Sequence, residues 1–280
     1  PIDRQYKAII KEVTKNINKR TILIVGSAPS FPHGIMDPIE ELSEIAYKNK
    51  IGFHTDACLG GFILPWIEKR YNISPYDFRL RGVTSISVDT HKFGYANKGS
   101  SAILYRNKKI HHYQYFITTE WPGGLYFSPT FAGSRSGATV SQCWAAMVHM
   151  GAEGYQKSSN DILDTAEFIK SEIRSIPHLE ILGEPLWIIA LASKTLNIYE
   201  VMDQMTKKDW NLNGLHKPSC VHLCVTLRHT QKDIAKRFVA DLQEAVRYVE
   251  KNPGAKEGLA PIYGLGASLP LRGAVGKLLE

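Results

Sequence analysis

Two candidate strand ends carry the residues best suited to chemistry. One is His54-Thr-Asp-Ala57, and the other is Ser85-Ile-Ser-Val-Asp-Thr-His-Lys92-Phe-Gly94. In the second, an extended run gives way to a glycine-containing turn that carries His91 and Lys92. A lysine at a strand end beside a pocket can lose solvation, which lowers its pKa and frees the amine to act as a nucleophile. Most lysines next to turns are surface charges, and taken alone Lys92 reads that way. Asp56 at the first strand end changes the balance. An aspartate there can pair with a protonated pyridine nitrogen while the lysine forms a Schiff base with the same cofactor, the division of labour that pyridoxal phosphate needs. Residue types alone point to that cofactor and stop there.

The elements that must hold these residues follow from periodicity. Residues 21–25 read as a short buried strand ending in Gly26-Ser27-Ala28-Pro29. Asp37-Pro38 has the form of an N-cap followed by Pro at the first helical position, opening a helix over 39–47. Strands follow at 51–57, 84–90 and 101–105. Strands alternating with helices indicate βαβ units and a mainly parallel sheet, with function at the carboxyl ends of the strands. Residues 4–20 carry a helical stripe of Tyr6, Ile9, Ile10, Val13 and Ile17, with six Lys and Arg residues between them. These charges read as a solvated helix face rather than a nucleic-acid arm, since no aromatic stacking platform accompanies them. Residues 116–137 read as a long irregular segment of the functional or interface kind. Helices are expected at 138–150 and 162–176, with Gly151 and Gly154 marking a break. Further on, strands are expected at 179–182, 187–192 and 221–227, and helices at 199–208 and 233–250. The expected division is residues 1–155, the second half of a large domain, and residues 156–280, a smaller α/β domain. No internal repeat is present.

Composition bounds the rest. The 280 residues carry a formal net charge of +7 and are 44% hydrophobic, which excludes a disordered chain. No apolar run reaches the ~18 residues of a membrane span. Four cysteines do not make a disulfide scaffold, so a reducing, cytoplasmic setting is the expectation. The chain starts at Pro1 without a signal-peptide pattern. Cys220-Val-His222-Leu-Cys224 puts three potential ligands on one face of a strand. It lacks the Cys-x-x-Cys pairing zinc favours and reads as packed residues, so no metal is expected. Cys58 reads as a buried thiol, and Gly60-Gly61 and Gly123-Gly124 lack dinucleotide spacing. Trp121, Tyr126 and Phe127 suit either a lipid-chain channel or packing in a core or dimer interface.

Longer stretches around these residues resemble the sphingosine-1-phosphate lyases. They are His54-Thr-Asp-Ala-Cys-Leu-Gly-Gly-Phe62, residues 82–101, Tyr126-Phe-Ser-Pro-Thr-Phe-Ala-Gly-Ser-Arg135 and Trp210-Asn-Leu-Asn-Gly-Leu215, within a likeness running from Thr21 to at least Tyr263. The resemblance implies a fold-type I pyridoxal-phosphate enzyme of the group II decarboxylase superfamily. It implies retro-aldol cleavage of the C2–C3 bond of sphingoid-base phosphates, giving a long-chain aldehyde and phosphoethanolamine. By matching position, Lys92 holds pyridoxal 5′-phosphate, Asp56 partners its ring nitrogen, and His91 contacts it. Ser134 matches a position reaching the cofactor phosphate of a partner subunit, which implies a homodimer with shared sites. Lys98 matches a substrate-phosphate residue and Tyr263 a tyrosine near the active site. Freed Lys92 is one candidate for proton transfers. The family's glycine-rich phosphate loop and its ring-stacking aromatic have no counterpart here, so a chain lacking its amino-terminal part is expected. An amino-acid decarboxylase of the same superfamily is the second enzyme reading, and a non-catalytic fragment the third.

Overall fold

Helix α1 spans only Ile10–Asn16, far less than the stripe over residues 4–20 predicts. The computed structural model describes residues 1–254 and Gly258. Tyr6 has φ +64°, a left-handed conformation that a right-handed helix cannot contain, and its ring stacks on His33 at 4.4 Å. Just beyond, Asp3 accepts the Lys7 N–H at 3.0 Å, and Ile2 pairs with Ala8. Local side-chain bonding has displaced the first turns of the expected helix.

Residues 1–3, 7–29 and 36–159 form one compact unit. After α1 come β1 (Leu23–Ser27), α2 (Ile39–Lys48), β2 (Gly52–Asp56), α3 (Leu64–Tyr71), β3 (Ser85–Val88) and β4 (Ala102–Tyr105). The four strands lie side by side in sequence order, the first three parallel and the fourth antiparallel. Helix α2 buries Ile39, Leu42, Ser43 and Ala46, the i, i+3, i+4, i+7 set of an amphipathic helix. It covers the sheet face that carries Gly26 and the fully buried Phe53, since a side chain at Gly26 would meet Ile39 at 2.7 Å. By register the opposite face carries Leu23, Val25, His54, Asp56, Ser85 and Ser87. The Asp37 carboxylate does not cap α2. It accepts the N–H groups of Ser27 and Ala8, and Pro38 stands at the N-cap instead.

The stretch expected to be irregular holds regular structure. After α4 (Lys108–His112), β5 (Phe116–Trp121) and β6 (Gly124–Ser128) make an antiparallel hairpin. Gly124 supplies the φ of +97° at its turn, β-branched and aromatic residues dominate β5, and Tyr126 and Phe127 stand in β6. Only residues 129–136 form a loop. Helix α5 (Gly137–Arg174) then runs past the expected interval between two helices, interrupted at Gly151 alone, where φ is +56°.

Residues 4–6, 30–35 and the described residues from Asn160 onward form a second unit. It contains the last part of α5, then β7 (Leu179–Ile181), β8 (Ile188–Ser193), α6 (Ile198–Thr206), β9 (Asn213–Leu215), β10 (Cys220–Cys224) and α7 (Ile234–Lys251). Its sheet is antiparallel, in the order β7-β8-β10-β9. Ile188 to Ala192 are buried without alternation, so this strand is covered on both faces. Phe238, Leu242, Ala245 and Val249 of α7 and Ile162, Ala166, Ile169 and Ile173 of α5 are buried as well. Each large apolar side chain so buried contributes about 1.5–3 kcal/mol.

Candidate functional site

Strand β2 ends at Asp56, and the chain reverses at once. Ala57 donates to the Ser87 carbonyl, and Gly61 donates to that of Ala57. The reversal requires glycine: a side chain at Gly60 would lie 2.0 Å from the Ala28 carbonyl oxygen, and one at Gly61 would lie 2.2 Å from Val88. Asp56 therefore stands at the carboxyl edge of the sheet with Cys58 folded back beside it. Its Oδ1 accepts the Cys58 N–H at 3.0 Å and the Ser87 hydroxyl at 3.2 Å. No oxygen or nitrogen donor among the described residues is bonded to Oδ2.

Behind Asp56 lies a polar relay on the same sheet face. Ser87 donates to Asp56, so the Ser87 oxygen accepts from His54 Nε2 at 3.1 Å, and His54 Nδ1 accepts from Ser85 at 2.8 Å. This fixes a neutral Nε2–H tautomer. Burial pushes the His54 pKa down, against the pull of Asp56, in keeping with the neutral ring.

Strand β3 delivers the other half. Asp89 follows it directly, and Lys92 Nζ lies 2.9 Å from Asp89 Oδ2. Three bonds staple this turn to the start of β4. Ser101 donates to Asp89 Oδ1 at 2.6 Å, Thr90 donates to the Ser100 hydroxyl at 2.7 Å, and His91 Nδ1 donates to the Ser100 carbonyl at 2.5 Å. Tyr155 of α5 also donates to the Gly94 carbonyl at 2.9 Å. Desolvation should lower the Lys92 pKa, as the sequence reading expects, and burial does act in that sense. The hydrogen bonds to Asp89 and Cys58 outweigh it, and the ammonium is held above its ordinary range.

Cys58 joins the two strand ends. Asp56 and Lys92 both act on its thiol, and burial together with Asp56 pushes the thiol pKa up, so it stays protonated. Asp56 and Lys92 thus meet within reach of one sulfur atom. The Asp56 carboxylate at the sheet edge and the Lys92 amine near it are a donor set that suits a pyridine ring bearing an aldehyde. The two side chains that could hold such a ring are Asp56 and Lys92.

The remaining expected residues are less concentrated. His91 lies in the Lys92 turn. Ser134, on the loop before α5, is exposed and borders a cavity of about 580 Å³ that Thr90, Ser100, Ser101 and Arg135 also line. Lys98 is exposed on the adjoining turn. Tyr263 lies outside the described residues. Sequence reasoning missed Asp89, Ser87 and the Ser100-Ser101 staple. Asp89 stood in plain view three residues before Lys92, and the two serines show their roles only through strand register. Cys220, His222 and Cys224 do face one side of β10, where His222 is fully buried between the Pro32 carbonyl and Asn213. Among the described residues no cluster of ligands could hold a metal ion, and no helix is long and apolar enough to cross a membrane.

Residues 3–189 match the model of the pyridoxal-dependent decarboxylase conserved domain. The chain is 49% identical over 282 residues to sphingosine-1-phosphate lyase of Arabidopsis thaliana, an alignment covering 100% of this chain and 52% of that protein. The structure of a sphingosine-1-phosphate lyase from Burkholderia pseudomallei superposes with a TM-score of 0.86 at 41% identity, over 96% of this chain and 62% of that one. Lactobacillus brevis glutamate decarboxylase shares the fold, with a TM-score of 0.77 at 20% identity, over 91% of this chain and 62% of that one. The chain spans about half the length of the curated relatives it matches.

Proposed function

The chain belongs to the pyridoxal-dependent decarboxylase family and has the α/β architecture of fold-type I enzymes, and from that premise we propose that it serves a sphingoid-base-phosphate lyase. The reaction is cleavage of the C2–C3 bond of a sphingoid-base 1-phosphate to a long-chain aldehyde and phosphoethanolamine. One observation carries this reading: Asp56 and Lys92, from two separate strand ends, converge on the Cys58 thiol. Pyridoxal 5′-phosphate, when bound, supplies an aldehyde for Schiff-base formation and a ring that accepts the electrons of the breaking bond.

In this proposal Lys92 holds the cofactor through Nζ and gives way to the substrate amine, which frees Nζ to hold or release a proton. Asp56 would keep a proton on the ring nitrogen, its carboxylate steadied by the two bonds on Oδ1. His91 would contact the cofactor, its ring fixed by the Ser100 carbonyl. Lys98 gives the substrate phosphate a point charge. Ser134 reaches the cofactor phosphate of a second copy, so the working form is a homodimer. Exposed Trp121, Leu125, Phe127, Val140 and Trp144 on the hairpin and α5 supply apolar surface for that contact. Residues 1–155 carry the chemistry and 156–280 form the smaller domain. Four free thiols suit a reducing compartment, and we place the protein in the cytoplasm.

The test is direct. Pyridoxal 5′-phosphate added to the chain should give the visible absorbance of a lysine Schiff base, and Lys92→Ala should remove it. Absence of the band in the unaltered chain overturns the proposal. Where the band forms, aldehyde released from sphinganine 1-phosphate supports the lyase, and CO₂ released from amino acids points to the decarboxylase.

A further inference from the structure

The Schiff-base reading places the amine of Lys92 in contact with an aldehyde, yet in this structure the same amine is already engaged. Asp89 Oδ2 lies 2.9 Å from Nζ, and the Asp89 side chain is only 15% exposed against 32% for Lys92. The other carboxylate oxygen is held by Ser101 at 2.6 Å, so Asp89 cannot swing away without breaking a second bond. The staple is redundant, since the backbone between Asp89 and Lys92 is also tied through Thr90 and His91 to Ser100. The groups facing Lys92 are the Asp89 carboxylate, the Cys58 thiol from the loop after β2, Asp56 beyond that thiol, and His91 in its own turn. The Asp89 contact is the short ionic one.

We propose that Asp89 is a positioning residue for Lys92, keeping its Nζ as an aimed ammonium so that Lys92 opens to an aldehyde only when this ion pair is released. The condensation makes the requirement explicit. An ammonium has no lone pair, so Nζ must first pass a proton to water. The nitrogen then bonds to the aldehyde carbon and the carbonyl C–O bond breaks. In sum, ammonium and aldehyde give a protonated imine and water. Two of the three ammonium hydrogens leave with the oxygen and one remains on nitrogen. No oxidant or reductant is involved. Every step before N–C bond formation is opposed by Asp89, which favours the charged amine, and an opposite charge at this distance moves such an equilibrium by about 1–3 pH units. Burial brings the same carboxylate into play from the other side, because Ser101 and Lys92 hold its pKa below the usual range despite that burial. Asp89 is therefore a poor acceptor for the departing proton.

This inference rests on the cofactor reading for its significance but can be tested apart from it. The full chain and its Asp89→Asn, Asp89→Glu and Ser101→Ala variants are treated across a pH series in two arms, and modification of Lys92 is quantified by peptide mass spectrometry. In one arm the aldehyde is formaldehyde with cyanoborohydride, and in the other it is pyridoxal 5′-phosphate followed by borohydride. In the formaldehyde arm, Asp89→Asn should shift the midpoint for Lys92 down by about 1 unit or more, close to tenfold more reaction at a fixed pH on the rising limb. Asp89→Glu should return it most of the way, and Ser101→Ala should give a smaller shift in the same direction. Midpoints that coincide in the unaltered chain and Asp89→Asn overturn the proposal, whatever the second arm shows. If Asp89→Asn loses its circular-dichroism signal, Ser101→Ala decides, and an unmoved midpoint there overturns it equally. A shifted midpoint with formaldehyde, but no trapping of pyridoxal phosphate on Lys92 at any pH, upholds the role of Asp89 and sinks the cofactor reading instead.

Discussion

Two histidines on two strands, His54 on β2 and His222 on β10, have nearly the same immediate chemistry and opposite consequences. Each has partners on both ring nitrogens, and each has its pKa pushed down by burial. His222 bonds a backbone carbonyl and an asparagine amide, and its network ends there. His54 bonds two serines, and through Ser87 its network continues to the Asp56 carboxylate at the carboxyl edge of the sheet. Burial and a shifted pKa are therefore common to both, and neither identifies a site. What separates them is whether the network terminates inside the fold or at an open edge.

That contrast can be broken or sharpened by experiment. The largest expected stability change is at the closed network. His222→Ala should lower stability by about 2–4 kcal/mol, from the cavity and the two partners left unpaired, while the pyridoxal-phosphate absorbance band persists. Denaturant titration with a spectrum taken on the same sample checks both halves. A loss of the band with intact stability would reverse the comparison. At the open network, Asp56→Asn should weaken pyridoxal-phosphate binding by about 1.5–3 kcal/mol, measured by absorbance titration, with a much smaller effect on stability. Ser87→Ala should act in the same direction but by only about 0.5–1.5 kcal/mol, since the carboxylate keeps its bond from the Cys58 N–H. An Asp56→Asn chain that binds the cofactor unchanged would remove Asp56 from the site.

Acid should distinguish the regions by a smaller margin. In the second unit His33 and His222 both have lowered pKa values, chiefly from burial, with His222 opposing charge on His33. The folded state therefore binds fewer protons than the unfolded chain. Stability from these groups is intact above the unfolded histidine pKa of about 6.5 and falls as the pH drops through it, levelling off only below the folded values. Protection of β10 peptides against hydrogen exchange, corrected for the intrinsic rate at each pH, should fall as the pH drops from about 7.5 to 5.5, and His222→Gln should flatten that dependence. The same window acts on β2 through His54 alone, so β2 peptides should respond less.

Much of this was legible in sequence, for reasons that can be stated. The strand ends at Asp56 and Lys92 were visible because a buried strand is short, apolar and followed by glycine. Tyr6 was not visible as a helix breaker, because its left-handed φ and its stack on His33 depend on residues distant in the chain. The hairpin at 116–128 was hidden by its Thr, Pro and Gly content, which reads as loop until the two strands find one another. Desolvation at Lys92 was foreseen, but its sign was reversed by Asp89, a partner three residues away whose reach is set by the turn between them. The relay from Ser85 to Asp56 could not be read at all, since parallel pairing fixes which serine meets which histidine.

The glycines at 60 and 61 bear on how portable this chemistry is. The short segment carrying Asp56 and Cys58 keeps its shape only because Ala28, at the end of a different strand, and Val88, at the end of a third, press into the spaces where side chains would stand. Grafting the nine residues from His54 to Phe62 onto another scaffold would leave the loop without its walls. The smallest transplantable unit is three strand ends held at their native spacing, and a random-mutagenesis library restricted to the loop would be sampling shape before it ever sampled reactivity.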